Sequence, residues 1–382
     1  MTSDNIFLKK TIVKLRIPKN IEEITPYPPG KPLDELEREY GITNSIKLAS
    51  NENPLGPSPL AIAAIQSALS DLHRYPDGSG YYLSRAIAEK DGVEPDQVVL
   101  GNGSNEIIEF LVKAFVQAGD EVITSHPSFL MYQKFVQVRG GKNHVVPLKD
   151  MSHDLEVILS LVSDRSRLIF LDNPNNPCGT LIPVHELLSF IGEVPEHVVV
   201  VLDEAYIDFV EDNLQINSKS LLDNSEGRCG VACMRTFSKA FGLAGLRVGY
   251  GLMEPSIASC LHKVRQPFNI NQLALTGAEA AIRDSDFFSN TCKLVAEGKK
   301  YLMAEVDASG CRSYPSHTNF FLIDVRGDAT VLYESMLRRG VIVRSMKAYG
   351  FQQFIRINVG TMKENRRFIE TFRICLKECG YV

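Results

Sequence analysis

Four apolar runs in this sequence end on residues that can do chemistry. Val98 to Leu100 leads into Gly101-Asn102-Gly103-Ser104-Asn105-Glu106 and then an apolar helical stretch, Ile107 to Phe115. A glycine turn entering a helix presents free backbone N–H groups and the positive end of the helix dipole, which suits a phosphate. A plain N-cap turn reads the same way. The pattern is not G-x-G-x-x-G, because Glu106 stands where the third glycine would be. The run His197 to Leu202 ends on Asp203, with Tyr206 three residues on. A carboxylate at the tip of a buried strand is costly unless it meets a cation or donors, so Asp203 needs a partner: a cap, a structural ion pair or a ligand. Gly230 to Arg235 opens into Thr236-Phe237-Ser238-Lys239 and a glycine-rich stretch closing on Arg247. Thr236 and Ser238 are two apart and face the same way if the strand persists. A lone lysine is usually solvated, but Lys239 lies between small hydroxyls and an apolar stretch. The fourth run, Arg167 to Leu171, ends at Asn173-Pro174-Asn175-Asn176-Pro177-Cys178-Gly179, whose amides can donate to a ligand or make a plain turn.

Together these ends describe a phosphate cup, a buried anion, a phenol and a lysine. Pyridoxal phosphate requires that set. Its phosphate needs N–H groups, hydroxyls and an arginine; its aldehyde needs a lysine amine for a Schiff base; its ring nitrogen needs an acid to hold it protonated, so that the ring can act as an electron sink.

The elements that must position these residues follow from the same runs. Between about Gln97 and Gly251, short β-branched segments alternate with segments of helical period, and the segments are apolar at successive positions. That is the pattern of strands covered on both faces, so the fold class is α/β: a large domain with a mostly parallel sheet between helices. After Tyr301 a second pattern follows: strand Asn319 to Val325, helix Ala329 to Arg339, strand Val341 to Arg344, strand Phe354 to Val359 and a closing helix from about Lys363 to Glu378. This is a smaller α/β C-terminal domain. Three divisions are expected: 1–55 as an N-terminal arm and a segment associated with the small domain, 56–290 as the large cofactor-binding domain, and 291–382 as the small domain. Pro32 to Tyr40 reads as a short helix stopped by Gly41. In an open parallel sheet, ligands bind beyond the carboxyl ends of the strands, where the four loaded ends lie.

The 382 residues carry 41 Lys plus Arg against 46 Asp plus Glu, a net charge of −5, with no basic block, so nucleic acid is not an expected partner. The longest apolar runs fall far short of the ~20 residues that span a bilayer, so no membrane partner is expected. The basic first twenty residues lack the apolar core of a secretory signal. Eight scattered cysteines form no disulfide framework, which fits a reducing cytoplasm. Cys229/Cys233 and Cys375/Cys379 repeat at four residues without completing a tetrahedral set, and no metal is expected.

The motifs NPNNPCG, DEAY and RTFSKAFGLAGLRVGY occur in that order and resemble the fold-type-I pyridoxal-phosphate aminotransferases. YPDGSGYYL, VVLGNGSNEIIE and LASNENPLGPSP narrow the likeness to the branch that acts on histidinol phosphate. The resemblance implies that Lys239 is the Schiff-base lysine and proton shuttle, that Asp203 pairs with the ring nitrogen, and that Asn176 and Tyr206 contact the ring oxygen. It places Ser104, Asn105, Thr236, Ser238 and Arg247 around the phosphate and Phe129 against the ring, where relatives often carry Tyr. It makes Tyr75 a contact to the phosphate of a neighbouring subunit in a homodimer, and Tyr27, Arg344 and Arg356 substrate contacts. By their position alone the two arginines are surface residues on a sheet edge. The implied reaction is transamination of histidinol phosphate with 2-oxoglutarate, giving imidazole acetol phosphate and glutamate, in histidine biosynthesis.

Aromatic amino-acid aminotransferases and threonine-phosphate decarboxylases share almost every one of these motifs. A ligand-sensing regulator would need an appended DNA-binding module, and none is visible in the first fifty residues. A nicotinamide dehydrogenase would rest on Gly101-x-Gly103 alone and has no use for Lys239.

Overall fold

The computed structural model describes residues 16–26, 38, 41–216, 218–225 and 229–382. The expected N-terminal arm is described only from residue 16 on, and the short helix expected over 32–40 lies outside the described residues apart from Arg38.

A two-residue strand, β1 (Ile46–Lys47), precedes the main sheet. That sheet has seven strands: β2 (Val98–Gly101), β3 (Glu121–His126), β4 (Lys142–Pro147), β5 (Ser166–Asp172), β6 (Val199–Asp203), β7 (Gly230–Thr236) and β8 (Gly249–Met253). Their order is β2-β8-β7-β6-β5-β3-β4, and only β8 runs against its neighbours. Alternating side chains divide each apolar run between two cores. Ile169, Leu171, Val200, Leu202, Val231 and Cys233 join one; Leu168, Phe170, Val199, Val201, Ala232 and Met234 join the other. Burying each Val, Leu, Ile, Phe or Met side chain among them is worth about 1.5–3 kcal/mol, which is why the runs are apolar at every position. Helix Ser104–Phe115 covers one face with Ile107, Ile108, Phe110, Leu111 and Val112. Helices Tyr81–Asp91, Val184–Glu193 and Gln272–Ile282 cover the other.

The C-terminal part holds a four-stranded antiparallel sheet, order β12-β13-β10-β9, built from β9 (Arg312–Ser313), β10 (Phe320–Asp324), β12 (Arg344–Ser345) and β13 (Phe354–Asn358). Helices Ala329–Leu337 and Met362–Cys379 pack on it, with the 24-residue helix Ser285–Ala308. The division expected near residue 290 falls inside that long helix. The strand expected over Val341 to Arg344 is two strands. β11 (Val341–Ile342) pairs in parallel with β1, whereas β12 pairs with β13. The chain changes partners at Val343, and an unbroken apolar pattern carries no mark of that change.

Residues 46–51 tie the two parts together: Asn51 Nδ2 donates to the Tyr206 hydroxyl beyond β6, and the same stretch is bonded to the C-terminal strands. Leu48 N–H donates to Ile342 O at 2.8 Å, Leu48 O accepts from Asn358 N–H at 3.0 Å, and Asn51 N–H donates to Asn358 Oδ1 at 3.0 Å. Among the described residues, no helix is long and apolar enough to cross a membrane and no group of three His, Cys, Asp or Glu could hold a metal. All eight cysteines are free thiols.

Candidate active site

The carboxyl ends of β5, β6 and β7 open into one cleft, as expected for this sheet type. Its wall collects Ser104, Asn105, Phe129, Asn176, Asp203, Tyr206, Thr236, Ser238, Lys239 and Arg247 from six separate stretches of chain.

At one end of the cleft, helix Ser104–Phe115 begins at Gly103, whose φ of 77° is open to glycine at little cost. A Cβ on Gly103 would lie 2.6 Å from Arg247 Nη2, and one on Gly249 would lie 2.4 Å from Ser104 N. Two glycines thus let the helix start and the Arg247 guanidinium approach each other. Glu106 does not face this cup. Its Oε2 turns back to accept from Asn102 N–H and Asn269 Nδ2, both at 2.7 Å, and fastens the loop. Thr236 and Ser238 form a tight hydroxyl turn: Ser238 N–H donates to Thr236 Oγ1 at 3.1 Å, and Thr236 Oγ1 to Ser238 Oγ at 3.0 Å. Arg247 adopts a left-handed conformation, φ 59°, and donates from Nη1 to Ala244 O at 2.9 Å. A helix start, two hydroxyls and a guanidinium make a donor set suited to a phosphate.

Asp203, 6% exposed, ends β6. The partners it needs are donors, a phenol and an amide: Tyr132 Oη donates to Oδ2 at 2.8 Å and Ala205 N–H to Oδ1 at 3.1 Å. Burial, aided by the nearby Asp172 charge, pushes its carboxyl up to about 7, against the pull of Tyr132. Lys239 follows β7, and its Nζ donates to Ser50 O at 3.3 Å while lying 5.9 Å from the Tyr206 ring centroid. Burial first, then the Arg356 charge, lowers its amine to about 8. The Tyr206 hydroxyl accepts from Asn51 Nδ2 at 2.8 Å and Asn176 Nδ2 at 3.4 Å, and burial pushes it up to about 12.

Arg356, on β13, donates to Asn176 Oδ1 and to Ala49 O, and stacks 4.9 Å from the Phe320 ring centroid. Arg344 is its register partner on β12, so the two arginines share a face of the small sheet. Phe129 stands edge-on to Tyr132 with ring centroids 5.5 Å apart. Tyr75 is not brought to the cleft of its own chain: it is 84% exposed and stacks on Phe268 at 4.9 Å. Tyr27 lies outside the described residues.

Sequence reading missed Tyr132, Asp172 and Asn51. Asp172 closes β5 as Asp203 closes β6, so the rule that drew attention to one strand end points equally to the other. Tyr132 lies in the short helix Met131–Val138, and nothing in that helix's pattern marks its hydroxyl for Asp203. Asn51 sits in the loop ahead of helix Pro59–Ala68 with φ 55°, a conformation asparagine tolerates.

The site's chemistry fits a phosphorylated pyridine aldehyde: a phosphate-type donor set, a buried carboxylate without a fixed cation, and an amine of lowered basicity. Comparison with known proteins agrees. Residues 43–372 match the family model of aminotransferase class I and II. A histidinol-phosphate aminotransferase from Desulfotalea psychrophila is 61% identical over 377 residues, covering 99% of this chain and all of that protein. One from Moorella thermoacetica is 42% identical, covering 95% of this chain and 93% of that one. The crystal structure of a histidinol-phosphate aminotransferase from Sinorhizobium meliloti, in complex with pyridoxal-5'-phosphate, superposes with a TM-score of 0.87 at 28% identity, covering 95% of this chain and 98% of that chain. Site geometry, family model and full-length relatives agree, and the chain belongs to the class I and II aminotransferases, in their histidinol-phosphate aminotransferase branch.

Proposed function

We propose that this chain transfers the amino group of histidinol phosphate to 2-oxoglutarate with pyridoxal phosphate as cofactor, giving imidazole acetol phosphate and glutamate, a step of histidine biosynthesis. The observation that carries the reading is the convergence of Lys239, Asp203 and the Ser104–Arg247 phosphate cup on one cleft. When bound, pyridoxal phosphate supplies a reactive carbonyl and an electron-withdrawing ring.

The chain's own residues do the rest. Ser104, Asn105, Thr236, Ser238 and Arg247 bind the phosphate and fix the ring's position. Asp203 holds a proton at the ring nitrogen. Asn176 and Tyr206 hydrogen-bond the ring oxygen, Tyr206 as a neutral phenol because its hydroxyl is pushed up to about 12. Phe129 packs against the ring. Lys239 Nζ anchors the cofactor and then moves the substrate's α proton; with its amine lowered to about 8, a useful fraction is unprotonated near neutral pH. Tyr75, solvent-exposed in its own chain, reaches the phosphate in a neighbouring subunit of a homodimer, and the enzyme works in the cytoplasm. Sedimentation at working concentration should find two chains per particle; a fully active monomer would rule the shared site out.

Substrate choice rests on the arginine pair. Histidinol phosphate carries a phosphate monoester where an amino acid carries its α-carboxylate, and glutamate must use the same pocket. Arginine forks suit both anions, and the dianion calls for more donors. Arg356 serves both substrates, and Arg344 serves mainly the phosphate. Arg344→Ala should weaken histidinol phosphate by about ten- to a hundredfold, the loss of one charge-assisted contact worth ~1.5–3 kcal/mol, and glutamate far less. Arg356→Ala should weaken both. Half-reaction kinetics decide: equal losses for the two donors in Arg344→Ala, or a wild-type preference for phenylalanine, would favour an aromatic aminotransferase instead.

A further inference from the structure

Asp203 is one of two buried carboxylates on the cleft wall. Asp172, 3% exposed, closes β5, and the parallel register sets it opposite Asp203 at the end of β6. Their surroundings differ. Asp203 accepts two hydrogen bonds, from Tyr132 and Ala205. Asp172 accepts on Oδ1 from the Ser128 hydroxyl at 2.9 Å and Asn175 Nδ2 at 3.0 Å, and on Oδ2 from Asn176 N–H at 2.9 Å. His153 Nε2 lies 3.1 Å from the same Oδ1 and 3.1 Å from the Asp172 carbonyl oxygen, so this nitrogen carries a proton. Its Nδ1 meets the Ser125 hydroxyl at 2.7 Å, which can donate to a neutral imidazole or accept from a charged one.

Donors aimed at a carboxylate favour its charged form. Four donors are aimed at Asp172, while Asp203 has two and is pushed up by burial, aided by the charge of its neighbour. The other titratable groups facing Asp172 are Tyr132 and Cys178; burial, with the Asp172 charge added, pushes both up, so neither brings a second charge. Two buried carboxylates side by side are costly unless a cation completes them.

We propose that Asp172, held by His153, is a positioning residue for charge: a second anion that, together with Asp203, favours the protonated form of the cofactor's ring nitrogen. This rests on the reading of Asp203 given above. It assigns the Ser125–His153–Asp172 chain a part in tuning the cofactor beyond fastening the Asn175–Asn176 loop.

The test compares pyridoxal phosphate with its 1-deaza analogue, in which a carbon replaces the ring nitrogen and cannot carry the proton, binding to the full-length cofactor-free chain. The ratio of the two affinities isolates the nitrogen's contribution, because a residue that only fastens the loop moves both affinities together. Asp172→Asn should lower the ratio about tenfold. His153→Leu, which removes one donor from the carboxylate, should lower it several-fold, and it keeps the test available if Asp172→Asn does not fold; a raised ratio would mean that the imidazole cancels the charge of Asp172 and would overturn the assignment. Asp203→Asn should lower the ratio more than either. An unchanged ratio in Asp172→Asn and His153→Leu, while Asp203→Asn collapses it, overturns this assignment alone. An unchanged ratio in Asp203→Asn overturns the reading of Asp203 and this inference with it.

Discussion

Lys239→Ala should lower turnover by about 10⁴-fold, the upper range for removing one positioned acid–base group. Among the described residues, Lys239 is the one lysine on the cleft wall, so no neighbouring amine can replace it. The phosphate cup does not involve Lys239, and the variant should still take up cofactor. Small primary amines added to the solution should restore part of the lost rate, since what is missing is a base of suitable strength at one place. Borohydride treatment of the wild-type holoenzyme, followed by peptide mapping, should find the cofactor on Lys239. Label on another lysine, or near-normal turnover without Lys239, would sink the assignment.

Asp203→Asn should keep the cofactor and lose about 10²–10³-fold or more in turnover, the scale of removing one preorganised electrostatic contact. Asparagine is the better probe than alanine. It still accepts from Tyr132, whereas alanine leaves a buried hydroxyl without its partner at a cost of about 1–3 kcal/mol. The same side chain predicts a pH dependence of stability in the cofactor-free protein. Its carboxyl sits at about 7 when folded against 3.8 for the ordinary group, so the folded state holds a proton that the unfolded state has released. Stability from this group is full below about pH 4 and is lost as pH rises through 7. Melting temperatures across that window should therefore fall more steeply for the wild type than for Asp203→Asn. Parallel curves would show that Asp203 is already ionised, and undiminished turnover in Asp203→Asn would contradict its role at the ring nitrogen.

Much of the fold is legible because a parallel sheet covered on both faces leaves continuous apolar runs, and the residues closing those runs are where ligands bind. Asp203, Lys239 and the Gly101–Glu106 turn stand out for that reason. β4 carries no such signal because it is an edge strand: Lys142, Val145 and Pro147 are exposed, and Lys-Asn-His-Val-Val-Pro has no long apolar run. Tyr132 is invisible for a different reason. Its ring stacks on Phe170 at 4.7 Å, as any core aromatic would, and only the three-dimensional path of the chain aims its hydroxyl at Asp203. The family resemblance singled out the arginine pair, but their shared face depends on β12 pairing with β13, a partnership that no local pattern announces.

The stitching of residues 46–51 into the C-terminal sheet also sets an order of assembly. β1 leaves the ribosome early, yet its partner β11 begins at Val341, 341 − 46 = 295 residues later. At about 5–20 residues per second, that is a wait of roughly 15–60 s during which the main sheet can already be complete. Asn51, whose side chain anchors the Tyr206 hydroxyl, is fixed in part by Asn358 and Asn319 and so reaches its place only after they have been made. A nascent chain can thus hold a finished large sheet and an unfinished catalytic cleft, and the enzyme becomes competent only when its last strands are synthesised.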